Sequence, residues 1–261
     1  MDYHSYLRKM TNLEIKFANQ EDRTKWNNFV EQNNGSIFQT FEWKDIIENS
    51  FGYKPYYFYA EDNGIKAILP SFLVKSWFFG KKLISVPAGD QAGPLGEIPA
   101  SKMLINESIK VGAKLKIDQI EIHNFKQEYI PSNSDFIKPW DYFSFISDLS
   151  KSINNIFEDF HKHLRNGIRK AQKNKVEIIE AKTKGGLKLF YRIYQKNMYF
   201  LGTPPLSFNF FENIFEIIHP KVKCYLAEYN NKVIGGSIFI LEKKSVRWFI
   251  GSNLLDYRHL N

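Results

Sequence analysis

Two hairpin sequences lying 167 residues apart constrain this chain more than any other feature. YAEDNGIKAI begins at Tyr59 and LAEYNNKVIG at Leu226, so Ala60, Glu61 and Asn63 fall opposite Ala227, Glu228 and Asn230. In each, two apolar runs flank a short turn, Asp62-Asn63-Gly64 in the first and Asn230-Asn231 in the second. Tight hairpin turns need positive φ at their centre, which Asn and Gly tolerate better than other residues. Each hairpin follows two helical patterns and precedes one more strand pattern. Three identities are few, but the shared order of elements reads as duplication of an α/β unit.

The first copy opens with a strand, LEIKFA (13–18). A helix with Trp26, Phe29 and Val30 follows, and a second with Phe41, Trp43, Ile46 and Ile47 ends at Gly52. The hairpin (56–74) leads to a strand at 82–87, a loop (88–99), a helix (100–115) and a buried strand (117–123). Residues 124–140 read as a polar linker. The second copy opens with a strand at 141–149. One amphipathic helix from Ser152 then runs into the strand VEIIEA. A helix with Leu187, Phe190 and Tyr194 stops at Gly202, and Thr203-Pro204-Pro205 breaks the chain before a helix capped by Ser207. The second hairpin (224–241) and a strand (245–252) follow. The expected fold class is α/β (α+β): two tandem units, 1–135 and 136–261, with mixed, largely antiparallel sheets flanked by helices. Shifted by the repeat, the helix and strand that close the first copy would fall at roughly 266–290. The second unit is therefore expected to be incomplete at its C-terminus, with an open strand edge.

Apolar residues make up 43% of the chain and aromatics 16%, which excludes disorder for most of it. The net charge of +8 points to an anionic partner without the stripe of a dedicated DNA binder. Cys224 is the single cysteine, so no disulfide forms within the chain, as suits a reducing cytoplasm. Its apolar strand, CYLAEY, predicts a buried, inert thiol. MDYHSYLRKM lacks the apolar core of a secretion signal, and no run is long enough to span a membrane. The chain is expected to be cytoplasmic, with contact at a membrane surface left open.

The cations concentrate on the helix after Ser152. Ile153, Phe157, Phe160, Leu164, Ile168 and Ala171 recur at helical spacing, and the opposite side carries Arg165, Arg169, Lys170 and Lys173. No acidic residue occurs from His161 to Lys175. Two readings stand: a solvated face on a core helix, or a site for phosphate, phospholipid or RNA. Arg165 and Arg169, four apart, are spaced to clamp one phosphate. The Gly202-Thr203 turn is either a helix connector or a cleft wall, and Gln39 and Trp43 either line that cleft or fill the core. His161 and His163 point to different helix faces, and no metal-ligand spacing occurs elsewhere. No Ser-His-Asp or Cys-His arrangement is readable. Glu61 and Glu228 read as structural or solvent-facing, with a general-base role as the minor alternative.

The order of elements resembles the GNAT acyltransferase unit, and two such units in tandem resemble the Fem-type transferases that build peptidoglycan interpeptide bridges. The resemblance lies in residues 39–87, LRNGIRKAQKNKVEI (164–178), NMYFLGTPPLS (197–207) and YLAEYNNKVIGGSIF (225–239). It implies transfer of an aminoacyl or acyl group to an amine of a cell-envelope precursor. The implied donor is an acyl-CoA or an aminoacyl-tRNA, and the implied partner an anionic or lipid-linked substrate. The chain departs from the family in three ways. The helical arm of full Fem enzymes is missing, which weighs against tRNA. GDQAGPLG has the glycines of a CoA loop but not their order. The family's closing segment would lie beyond Asn261. The alternative of another class is a non-catalytic module that binds an anionic glycolipid, a CoA-like ligand or RNA through the basic helix.

Overall fold

The structure, a computed structural model, describes residues 12–76, 80–90, 92–123, 127–131, 136–137 and 143–260. The chain divides into two compact units, Met1–Ile137 and Lys138–Asn261.

In the first unit β1 (Glu14–Phe17) is followed by α1 (Arg23–Gln32) and α2 (Phe41–Phe51). Thr40 caps α2 by accepting from the Trp43 amide, and Gly52 ends it at a φ of 67°. The hairpin follows as β2 (Lys54–Pro55) and β3 (Phe58–Glu61) against β4 (Ile65–Leu69) and β5 (Phe72–Ser76). Its four segments keep one register, from Lys54↔Leu73 to Ala60↔Ala67. Only the junction at Tyr57 and Pro70 interrupts the strands. Proline has no amide to donate to the ladder, and the Tyr56 amide resumes it by donating to the Ser71 carbonyl at 2.7 Å. β6 (Gly80–Ile84), α3 (Ile98–Leu115) and β8 (Gln119–Glu121) form a crossover, with β8 parallel to β6. α3 lays Ala100, Leu104, Ile105 and Val111 over Phe58, Ala60, Ala67 and Leu69.

The expected loop 88–99 holds one short strand, β7 (Leu95–Gly96), paired with β4. Gly96 sits at a φ of 119°, and a Cβ there would lie 2.2 Å from the Lys66 carbonyl oxygen. Only glycine fits this approach, which gives one glycine of GDQAGPLG a structural purpose.

The second unit holds α4 (Ile153–Asp159), α5 (Lys162–Lys173), β9 (Glu177–Glu180), α6 (Lys184–Phe200) and α7 (Phe208–Ile217). They are followed by β10 (Val222–Tyr229), β11 (Lys232–Leu241) and β12 (Val246–Asn253). The sheet order is β12-β11-β10-β9, antiparallel throughout. Phe190 and Tyr194 of α6 pack with Phe211 of α7, and α6 lies on β11 and β12.

The repeat holds at the level of single hydrogen bonds. Both hairpins carry a bulge at the same place, between Ala60 and Glu61 and between Ala227 and Glu228. Ser207 caps α7 from the Phe210 amide just as Thr40 caps α2 from Trp43. β1 pairs Glu14 with Glu61 and Ile15 with Ala60, while β9 pairs Glu177 with Glu228 and Ile178 with Ala227. Past each strand, the amides of Ala18 and Ala181 both donate 2.8 Å bonds, to the carbonyls of Tyr57 and Cys224.

Two expectations are corrected. Residues 143–149 form no strand; 141 and 142 lie outside the described residues. β-propensity is present in FSFISDL, but a strand needs a neighbour to complete its ladder, and none pairs with it among the described residues. The helix from Ser152 is two helices, because Phe160 and His161 are extended at ψ values near 141° and 142°. Ser152 caps α4, and the His161 ring accepts from the His163 amide to cap α5. No residue of either helix is buried, so local capping rather than a continuous core face sets the boundaries.

Candidate anion-binding helix

α5 presents its cations over three turns, starting where α4 ends. Arg165 Nη1 donates to the Glu158 carbonyl at 3.3 Å, and the Arg169 guanidinium lies 5.4 Å from the centre of the Phe157 ring. Both arginines thus reach back to α4, Arg169 by a cation–π contact. Lys170 and Lys173 are exposed on the last turn, where the partial negative charge of the helix terminus favours cations. Among the described residues, no carboxylate forms an ion pair with Arg165, Arg169, Lys170 or Lys173. Other lysines of the unit do meet carboxylates: Lys223 meets Glu180 at 2.8 Å, and Lys184 meets Glu212. A row of cations without carboxylates has the chemistry to accept phosphate oxygens, with the guanidinium forks supplying paired donors.

The other candidates lie elsewhere. Gly202, at a φ of 70°, ends α6, and the Thr203 amide donates to the Met198 carbonyl at 3.0 Å. Gly35 and Ser36 occupy the same place between the first unit's two helices, so the turn acts as a connector in both copies. No hydrogen bond or ring contact among the described residues joins Gly202 or Thr203 to α5.

Gln39 and Trp43 belong to the core of the first unit. The Gln39 side-chain oxygen accepts from the Ser36 amide at 3.0 Å, and its Nε2 donates to the Gly93 carbonyl at 2.8 Å. Trp43 is fully buried, edge-on to Phe38 at 4.6 Å between ring centres. Its repeat partner, Phe210, is likewise fully buried. These packing roles account for both side chains.

Two groups bear on proton transfer. The Glu61 carboxyl is held below its ordinary value, first by the hydrogen bond from Lys16 at 3.0 Å and further by the charge of Lys25, 3.4 Å away. A general base working near neutrality needs the opposite shift. Cys224 is buried, and burial pushes its thiol up to about 12, which removes the thiolate needed for nucleophilic attack.

Sequence reasoning passed over His123. It follows β8, where its amide donates to the Ser85 hydroxyl at 2.7 Å and its Nδ1 lies 2.9 Å from the Gly89 carbonyl oxygen. A carbonyl partner requires the proton on Nδ1, which leaves Nε2 of the neutral ring as an acceptor. The available signal was positional: a histidine at the C-terminal end of a parallel strand, the end where open α/β sheets gather their ligands. Among the described residues no cluster of His, Cys, Asp and Glu is arranged to hold a metal ion.

No protein-family model matches the chain, and no curated protein matches it. Solved structures do. FemX superposes with a TM-score of 0.63 at 11% identity, over 95% of this chain and 82% of that one. A domain from Agrobacterium fabrum, described as the C-terminal DUF2156 domain of a lysylphosphatidylglycerol synthetase, gives 0.49 at 7% identity, over 92% and 70%. A conserved protein of unknown function from Enterococcus faecalis V583, described as a probable N-acyltransferase, gives 0.41 at 11% identity, over 96% and 60%. The FemX superposition carries the fold; identities this low say nothing of substrate. The chain shares the fold of FemX, with mixed, largely antiparallel sheets flanked by helices.

Proposed function

We propose that this chain is an acyltransferase that moves an aminoacyl or acyl group to an amine of a cell-envelope precursor. In this reading each compact unit is one GNAT-like copy. Arg165, Arg169, Lys170 and Lys173 hold phosphate of the donor or of a lipid-linked acceptor. The observation that carries it is the carboxylate-free cation row of α5 on a fold shared with FemX. In the reaction the amine nitrogen attacks the donor carbonyl, the bond to the donor's sulfur or oxygen breaks, and the amine gives up a proton. Donors aimed at the developing oxyanion would lower that barrier, a role open to backbone amides. The donor is an acyl-CoA or an aminoacyl-tRNA, and the buried Cys224 fits a cytoplasmic location.

A second reading is a non-catalytic module that holds an anionic glycolipid, a CoA-like ligand or RNA on α5. It is favoured by Glu61, which two lysines tie into the structure and keep from acting as a base. Thermal-shift and isothermal titration against CoA, acetyl-CoA, a soluble lipid II analogue and RNA separate the readings, because a ligand that binds the native state raises Tm. The transferase is stabilised by a donor or by the precursor analogue and transfers the acyl group when given both. The module responds to anionic ligands and never turns over.

A further inference from the structure

Between Phe143 and Ile153 the second unit turns its largest apolar side chains outward. Phe143 is 85% exposed, Phe145 99%, Ile146 93% and Ile153 85%. Single exposed apolar residues are ordinary on a protein surface, but a consecutive group of this size marks a contact. This group is joined to charge. From Phe143 to Lys175 there are seven Lys or Arg against three Asp or Glu. Two of the three acids are already engaged: Asp159 meets Lys151 at 2.6 Å, and Asp148 accepts from the Ser150 amide and hydroxyl at 2.9 and 2.7 Å. Ile153 and Phe157 lie one turn apart on α4, and Arg169 of α5 lies over Phe157, so exposed Ile153 stands one turn from the ring that the cation row reaches; Phe143, Phe145 and Ile146 precede it by seven to ten residues in the chain.

We propose that this face of the second unit docks on an anionic phospholipid bilayer. The side chains of Phe143, Phe145, Ile146 and Ile153 enter the interfacial layer, and Lys162, Lys170 and Lys173 meet lipid phosphates. Charge complementarity selects this occupant: a bilayer surface offers apolar depth directly beneath a sheet of negative charge, and this stretch offers exposed apolar side chains together with an excess of cations. The irregular backbone of 143–149 suits the hydrated interface, where water can satisfy its amides and carbonyls. No helix among the described residues is long and apolar enough to cross the membrane, so the contact made by this face is peripheral. The face shares Lys170 and Lys173 with the proposed anion site, whereas Phe143, Phe145, Ile146 and Ile153 belong to it alone, so the apolar variant below tests docking separately from that site.

Co-sedimentation of the full chain with lipid vesicles tests it. One set is phosphatidylcholine alone; in the other, part is replaced by phosphatidylglycerol. The chain is expected to sediment with the anionic set, and added salt should weaken binding. Phe145→Ser with Ile146→Ser leaves net charge unchanged and alters side chains already in water, so circular dichroism should report an intact fold. This double variant should partition roughly tenfold less, from the apolar area lost at the interface. Lys170→Gln with Lys173→Gln should lose a comparable factor on the anionic vesicles, and lose it only there. Sedimentation with neither set overturns the proposal. So does unchanged binding of the Ser variant, which would show that net charge alone adsorbs the chain.

Discussion

The two units carry the same sheet face and treat it differently. In the first, Ile15, Phe58, Ala60, Ala67 and Leu69 lie under α3, and Phe58 and Ala60 are fully buried. The equivalent face of the second is Ile178, Tyr225, Ala227, Gly235 and Ser237. No helix of its own unit covers it among the described residues; Ile178 is 66% exposed and Tyr225 36%. The side chains have followed the environment. Phe17 and Tyr56 touch edge-on at 6.4 Å in the first unit, and their repeat positions, Glu180 and Lys223, form an ion pair at 2.8 Å in the second. Phe17 is itself 50% exposed, so this pair stands at the margin of the face, whose covered part is Phe58, Ala60, Ala67 and Leu69; one backbone pattern thus supports either a helix-covered face or a wet one. Its hydrogen-bond ladder is satisfied in both cases, and burial is decided by what packs on top.

The comparison breaks most visibly at Phe58 and Tyr225. Phe58→Ala should destabilise the first unit by about 3–5 kcal/mol, the range for emptying a packed aromatic site. Tyr225→Ala should change stability by less than about 1 kcal/mol. Urea unfolding of both variants measures the gap, and equal losses would mean that the second face is covered. Where the copies agree, effects should match: Thr40→Ala and Ser207→Ala each remove an N-cap and should each cost about 1 kcal/mol. A large difference between them would show that the helices are not equivalent.

Acid distinguishes the units more gently. The Glu61 carboxyl lies below its unfolded value of 4.5, so its ion pairs with Lys16 and Lys25 support the fold above that pH. Their contribution falls away as the pH drops from there through the folded-state value. Glu61→Gln should flatten that part of the stability profile and leave the profile near neutrality parallel to the parent's. The smallest effect belongs to the open face: Trp248→Ala, at a side chain 62% exposed and held by one hydrogen bond to Ser237, should shift stability by about 0.5 kcal/mol or less.

Much of the fold was legible because it is written locally. The Asn-Gly and Asn-Asn turns, the Gly52 stop and the Ser207 cap each act within a few residues, and each is found where the sequence places it. Pairing is not local, and that is where reading failed. FSFISDL has the composition of a strand but no partner to complete its ladder. The equivalence of LEIKFA and VEIIEA was missed although Glu14, Ile15 and Ala18 match Glu177, Ile178 and Ala181. Those strands match at an offset of 163, the hairpins at 167, because the stretch between them is longer in the second copy. The cation row of α5 was legible as charge without compensation. Ile168, expected on a core face, is only half-buried, since nothing in the sequence of α5 says what lies beneath it. Gln39 and Trp43 show the converse: a polar or aromatic residue before a helix reads equally as lining or as core until its partners, Ser36, Gly93 and Phe38, are seen.

The most direct test of the functional reading is isothermal titration of CoA and a soluble lipid II analogue into the parent chain and into the variant Arg169→Ala, Lys170→Ala, Lys173→Ala. The cation row predicts saturable binding of at least one phosphate-bearing ligand, weakened roughly tenfold or more in the variant with Tm nearly unchanged, because these side chains are exposed. Equal affinity in parent and variant, or no binding of either ligand, would contradict the assignment of α5 as the anion site.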